Sequence, residues 1–188
     1  LRDALISLIL ERGYEAITVG DITDRADLNR GTLYLHYRDK QDLLLRSSDE
    51  VYKDLLTQFE PLNREHLSLN VPERHLALVF EHAAAHADFY RVMLGDHGVP
   101  AFVNRLRQIV AEASRSRLDG LRALNPASRS VSPELVAGFT SGALLGALAW
   151  WLESGMATPI DQVAQTTLEL TVRGVYGTLG ITVDEKKD

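Results

Sequence analysis

The chain has 188 residues, 45% of them hydrophobic and 24% charged, a balance that can bury a sizeable core and excludes a disordered class. No cysteine occurs, which excludes disulfides, thiolate catalysis and cysteine-based zinc sites and fits a reducing cytoplasm. The formal net charge is −6, so overall charge does not point to nucleic acid.

Leu1 to Arg12 reads as the first helix, with Ala4, Leu5, Leu8 and Ile9 on one face and Gly13 in a helix-stop position. Leu1 to Leu10 is apolar enough to imitate a leader, but Arg2, Asp3 and Ser7 interrupt it, and no run in the sequence approaches membrane-spanning length. Thr18 supplies a capping hydroxyl and Asp21 its acidic partner, so the second helix begins at Val19. Ile22 and Ala26 share its inner face, while Asp21, Asp24 and Arg25 face water. Asp27-Leu28-Asn29 breaks the pattern with turn-favouring residues, and Asn29 caps a third helix from Arg30 to Tyr37. That helix buries Leu33 and Tyr37 and leaves Arg30, Thr32, Tyr34 and His36 outward, with Gly31 small enough to admit a duplex closely. Two short capped helices joined by a tight turn have the shape of a helix-turn-helix DNA reader.

Asp39 caps a long fourth helix, from Lys40 to about Phe59, striped by Leu43, Leu44, Val51, Leu55 and Phe59 and closed by Pro61. At 1.5 Å per residue it spans roughly 30 Å and joins a DNA head to a body. A polar linker, Asn63 to Pro72, leads to a fifth helix (about Glu73 to Ala87) and a short sixth (Asp88 to Leu94). After a loop at Gly95 to Gly98, Pro100 to about Leu124 forms the seventh, with Phe102, Val103, Leu106, Ile109 and Val110 inward, and Asn125 to Val131 ends it. Ser132-Pro133 and Thr158-Pro159 each set a hydroxyl cap before a proline at the first helical position, starting helices eight (to about Ser154) and nine (to about Leu179); the Asp184 to Asp188 tail is solvated. The fold class is all-α, with about nine helices.

The stretch Glu11-Arg12-Gly13-Tyr14-Glu15-Ala16-Ile17-Thr18-Val19, followed by Asp21-Ile22, Arg25-Ala26, Gly31-Thr32-Leu33-Tyr34, Tyr37 and Lys40, resembles the amino-terminal DNA-binding domain of TetR-family transcriptional regulators. The resemblance runs without a gap from Leu1 to about Leu45. It implies an all-helical cytoplasmic homodimer, with a DNA-binding domain over residues 1–46 and a ligand-binding and dimerisation domain over 47–188. It also implies further residues, often basic, ahead of Leu1. Asp27 stands where family members usually carry glycine, and Tyr37 replaces a more frequent phenylalanine. Phe89 to Gly95 and Trp151 to Gly155 resemble a TetR-like subgroup in which control by small molecules and by protein partners are both known.

Within the head, Tyr34 and Lys40 are the expected phosphate contacts, with Thr18 and Asn29 adding side-chain or capped-backbone contacts. Arg30, Thr32 and His36 are the candidates for base edges, with Gly31 and Tyr37 completing the surface. Through Ser47 the chain carries seven Lys or Arg and eight Asp or Glu, so the local placement of Arg30, Arg38 and Lys40 has to supply the positive field.

In the body, Phe89, Tyr90, Met93, Phe102, Leu106, Phe139 and Trp150 are expected to line an apolar pocket, with His86, Tyr90 and Thr140 as orienting polar groups. Gly138, Gly142 and Gly146 recur on one side of helix eight and allow a close helix; periodicity leaves open whether that neighbour is intramolecular, whereas the resemblance favours a four-helix dimer bundle. Trp151, Leu168, Val172 and Val175 join that expected interface, since Trp150 and Trp151, adjacent on a helix, cannot share a face.

His82 and His86 are spaced to reach one metal ion, but the His-Glu-x-x-His context is absent and two histidines are too few; Asp88 or His97 would have to complete a site. No metal or cofactor is therefore assigned, and catalysis is not indicated. The expected function is a dimeric repressor on a palindromic operator, released when a small-molecule effector in the body tilts helix four. The alternatives are control by a protein partner and a helical metal-dependent enzyme using His82 and His86. No membrane partner is expected.

Overall fold

Capping chemistry sets the helix starts of the head. Thr18 and Asp21 form a reciprocal capping box, with Asp21 N–H donating to Thr18 Oγ1 (3.2 Å) and Thr18 N–H to Asp21 Oδ2 (2.8 Å). Asn29 accepts from Thr32 N–H at 2.8 Å, and Asp39 from Asp42 N–H at 2.8 Å. A computed structural model describes residues 1–64, 72–95, 100–124 and 130–179. Their elements are α1 (Arg2–Arg12), α2 (Val19–Arg25), α3 (Arg30–His36), α4 (Lys40–Arg64), α5 (Pro72–Ala85), α6 (Ala87–Leu94), α7 (Pro100–Leu124), α8 (Pro133–Glu153) and α9 (Ile160–Leu179), with no strand among the described residues. The tail at 184–188 and His97 lie outside the described residues.

Two boundaries differ from expectation. α4 continues through Pro61 to Arg64, beyond the stop expected of a proline. α5 ends at Ala85, two residues earlier than the sequence suggests, because His86 leaves helical geometry (φ −122°, ψ 36°) and becomes the N-cap of α6, which starts one residue early at Ala87.

A single apolar core runs from head to body. It joins Leu5, Ile9, Ile17, Ile22, Leu33 and Leu43 to Phe80, Phe89, Met93, Phe102, Leu148 and Trp151. α1 packs against α2, α4 and α6, so the head is attached to the body twice, through the continuous α4 and through the α1–α6 contact. In the body α7 lies on α8, and α5 on α9. Gly155 (φ 71°) and Met156 (φ 59°) both take left-handed backbone in the tight α8–α9 turn.

α8 corrects the expectation that no segment approaches membrane-spanning character, since it is long and apolar enough by length and composition. Its apolarity serves two faces. One buries Ala137, Leu145, Leu148, Trp151 and Leu152; the other exposes Leu135, Phe139 and Trp150.

Candidate nucleic-acid interface and effector body

α3 presents the outward surface of the head. Leu33 is fully buried beneath it, while Tyr34 is 58% and Leu35 82% exposed. Arg30, Gly31 and His36 are exposed, and Tyr37 is half-buried with the Arg46 guanidinium 5.8 Å over its ring. Thr32 donates its hydroxyl to Asn29 Oδ1 (3.1 Å), so both side chains are shared between the cap and the outer surface. The Arg30 guanidinium lies against Gly20: a Cβ there would stand 2.5 Å from Nη2. Leu35 was not singled out from sequence. Its place on the outward face of α3 was the available signal.

Half of the head's eight acidic groups, Asp3, Glu11, Asp21 and Asp42, are held in ion pairs. Glu11 forms a two-pronged pair with Arg25 (2.7 Å for each prong), and Asp21 pairs with Arg12 at 2.7 Å. The Thr18 hydrogen bonds, followed by Arg12, hold Asp21 well below the usual carboxylate range. Asp42 is lowered to about 2, mainly by the Arg38 N–H and then by the Arg38 and Arg46 guanidiniums.

Lys40, an expected phosphate contact, also serves the scaffold of the head. Its ammonium donates to the carbonyls of Tyr14 (3.0 Å) and Ile17 (2.9 Å) and lies 4.3 Å from the Tyr14 ring centroid, so two of its three N–H groups hold the α1–α2 loop. Asp27, at φ 54°, takes the left-handed backbone that glycine would adopt without strain.

In the body, the expected pocket residues separate. Phe89, Tyr90, Met93, Phe102 and Leu106 are buried together, with Tyr52 stacked on Phe102 (4.9 Å) and donating its hydroxyl to the Phe102 carbonyl at 2.7 Å. Thr140 turns to Ser114 Oγ (2.7 Å). Phe139 and Trp150 are instead 54% and 55% exposed, so neither lines the interior. The two tryptophans exchange places: Trp151, expected at the dimer face, is 1% exposed, donates to the Thr158 carbonyl (2.7 Å) and meets Phe80 edge-on. Trp151 fills the space against Phe80, and the helical step of about 100° turns its neighbour Trp150 out. Two concavities lie elsewhere, one of about 240 Å³ beside Arg91, Leu94, Ala149 and Leu152, another of about 420 Å³ beside Arg74, Ala77, Asp161 and Gln165.

Gly138, Gly142 and Gly146 are exposed, and a Cβ on any of them would meet nothing within 4 Å, so no helix among the described residues packs closely there. Leu135, Phe139, Trp150 and, on α9, Leu170 extend this apolar surface. Leu168 is half-buried, Val175 packs on the Leu118–Val136 cluster, and the side chain of Val172 lies outside the described set.

Sequence separation had hidden a further group. Asp54 of α4 meets both histidines, its Oδ2 lying 3.2 Å from His82 Nε2 and 3.4 Å from His86 Nε2. Burial above all, then the neighbouring His86, pushes His82 below the ordinary histidine value.

A capped helix-turn-helix head joined by a long helix to an all-helical body defines a DNA-binding transcriptional regulator. Residues 1–46 match the model for bacterial regulatory proteins of the tetR family, and residues 70–172 that for a transcriptional regulator C-terminal region. The chain belongs to the TetR family.

Among its relatives is the fatty acid metabolism regulator protein of Bacillus subtilis, 23% identical over 93% of both chains. The uncharacterized HTH-type transcriptional regulator YxbF of the same organism is 25% identical over 90% of this chain, which spans only 43% of that relative's length. The fold is shared with the fatty acid degradation regulator FadR of Bacillus halodurans (TM-score 0.75, 17% identity, 92% of this chain and 96% of that one). It is shared too with Bacillus subtilis FadR in complex with stearoyl-CoA (TM-score 0.68, 19% identity, 92% and 96%).

Proposed function

We propose that the protein is a homodimeric cytoplasmic repressor that leaves its operator when a long-chain acyl thioester enters the body. The observation that carries this reading is the aromatic layer of Tyr52, Phe89, Tyr90 and Phe102, enclosed by α4, α6 and α7. Tyr52 stands on α4, the connector to the head, and its hydroxyl bonds α4 to the Phe102 carbonyl of α7. An apolar chain wedged into this layer separates Tyr52 from Phe102. That displacement tilts α4 and changes the spacing of the two recognition helices, which must reach grooves about 34–36 Å apart. Likeness to regulators of fatty acid metabolism, one of them bound to stearoyl-CoA, supports an acyl thioester as the effector. The exposed glycine and aromatic face of α8 with Leu170 of α9 supports pairing of two copies.

In the DNA complex, Tyr34, with Thr18 and Asn29, positions the phosphates, and Arg30, Thr32, Leu35 and His36 face base edges. The test is selection of an operator from a random duplex pool, followed by titration of the complex with stearoyl-CoA and with coenzyme A alone. Release by the acyl thioester and not by coenzyme A is expected; an operator affinity untouched by acyl chains of every length overturns the reading.

A further inference from the structure

We infer that Asp54, His82 and His86 form a binding site for a divalent transition metal of the zinc class, a site that adjoins the aromatic layer through Tyr90. The three side chains each bring one ligand atom, and these atoms lie within 4.8 Å of one another. Their spacing matches what a small tetrahedral ion requires. Two donors at about 2.0–2.1 Å from such an ion stand about 3.3 Å apart, and Asp54 Oδ2 is 3.2 Å from His82 Nε2 and 3.4 Å from His86 Nε2.

The second observation is the state of His82. Its side chain is fully buried, and Nε2, although 3.2 Å from Asp54 Oδ2, makes no hydrogen bond. A buried polar atom left so carries a cost that a metal ion removes. The other ring nitrogen is already oriented: Nδ1 lies 3.1 Å from the Tyr90 hydroxyl. With Nδ1 protonated and donating to the Tyr90 oxygen, Nε2 keeps its lone pair and points at Asp54, the arrangement in which metal-ligating histidines are held by an outer partner.

Two imidazoles and one carboxylate suit zinc over magnesium or calcium, which prefer an all-oxygen set. Asp54 is 53% and His86 26% exposed on the side chain, so the ion enters from solvent and a fourth position stays open. Gln58 donates to the same Asp54 oxygen at 3.3 Å and steadies its rotamer. Asp54 stands on α4, His82 on α5 and His86 at the N-cap of α6. A bound ion therefore ties the connector to the helix that packs on α1 of the head, clamping both attachments of head to body.

The test uses the full chain without a polyhistidine tag, titrated with Co2+ and followed by the visible absorption of tetrahedral cobalt. A saturable signal at one ion per chain, displaced by Zn2+, is expected. Asp54→Asn and His86→Gln remove groups open to solvent and leave the fold intact by circular dichroism; both are expected to lose the signal. Tyr90→Phe should weaken Co2+ binding about tenfold. No saturable signal in the native chain, or its retention in either ligand variant, overturns the site.

Discussion

Lys40 Nζ donates to the Ile17 carbonyl at 2.9 Å, a contact between residues 23 apart that makes the first cation of α4 part of the head's scaffold. The same ammonium also holds the Tyr14 carbonyl. Lys40→Met keeps the aliphatic stem and loses both bonds, so it should lower unfolding free energy by about 1.5–3 kcal/mol, as for hydrogen bonds made by a charged group. Urea unfolding measures this. A variant as stable as the native chain would return Lys40 to the role of a free phosphate anchor.

Leu35, at 82% exposure, contributes nothing to the core. Leu35→Ser should leave the unfolding free energy within about 0.5 kcal/mol and weaken binding to the selected operator about tenfold, as one lost base contact does. Fluorescence anisotropy on that operator and on a scrambled duplex checks it; equal loss on both would assign Leu35 no part in sequence reading.

The neighbouring tryptophans should behave in opposite ways. Trp151 is 1% exposed against Phe80, so Trp151→Ala should cost about 3–5 kcal/mol of stability. Trp150 is 55% exposed on the α8 face. Trp150→Ala should weaken self-association by about 2 kcal/mol or more, the effect of a large aromatic anchor at an interface centre. Sedimentation equilibrium separates the two, and undiminished association in Trp150→Ala would place the dimer contact elsewhere.

Asp42 links the head's stability to acid. Its carboxyl is lowered from 3.8 to about 2 by the Arg38 N–H and the two guanidiniums, so the folded state favours the ionised form. That contribution is complete above pH 3.8 and is lost as the pH falls through about 2. Asp42→Asn should therefore flatten the decline of stability across this window, read from urea midpoints at successive pH values. An unaltered slope would assign the acid sensitivity to another carboxylate.

The head was legible in the sequence because its determinants are local. The Thr18–Asp21 box, the Asn29 cap and the Asp39 cap each join residues three apart, within reach of one helical turn. The body was legible only as a succession of helices. Phe139 and Trp150 fit a pocket by composition, yet the helix periodicity of α8 admits two apolar faces and does not say which one is inside.

Residue order alone thus determined the nine helical segments among the described residues, the outward-facing α3 and the turn at Asp27, since each follows from backbone preferences and hydrogen bonds between near neighbours. Tertiary structure decided the capture of Lys40 by the α1–α2 loop, the inward turn of Trp151, and the meeting of Asp54 with His86 across 32 residues. Those outcomes depend on how whole helices pack, a balance of shape and burial that no local pattern encodes.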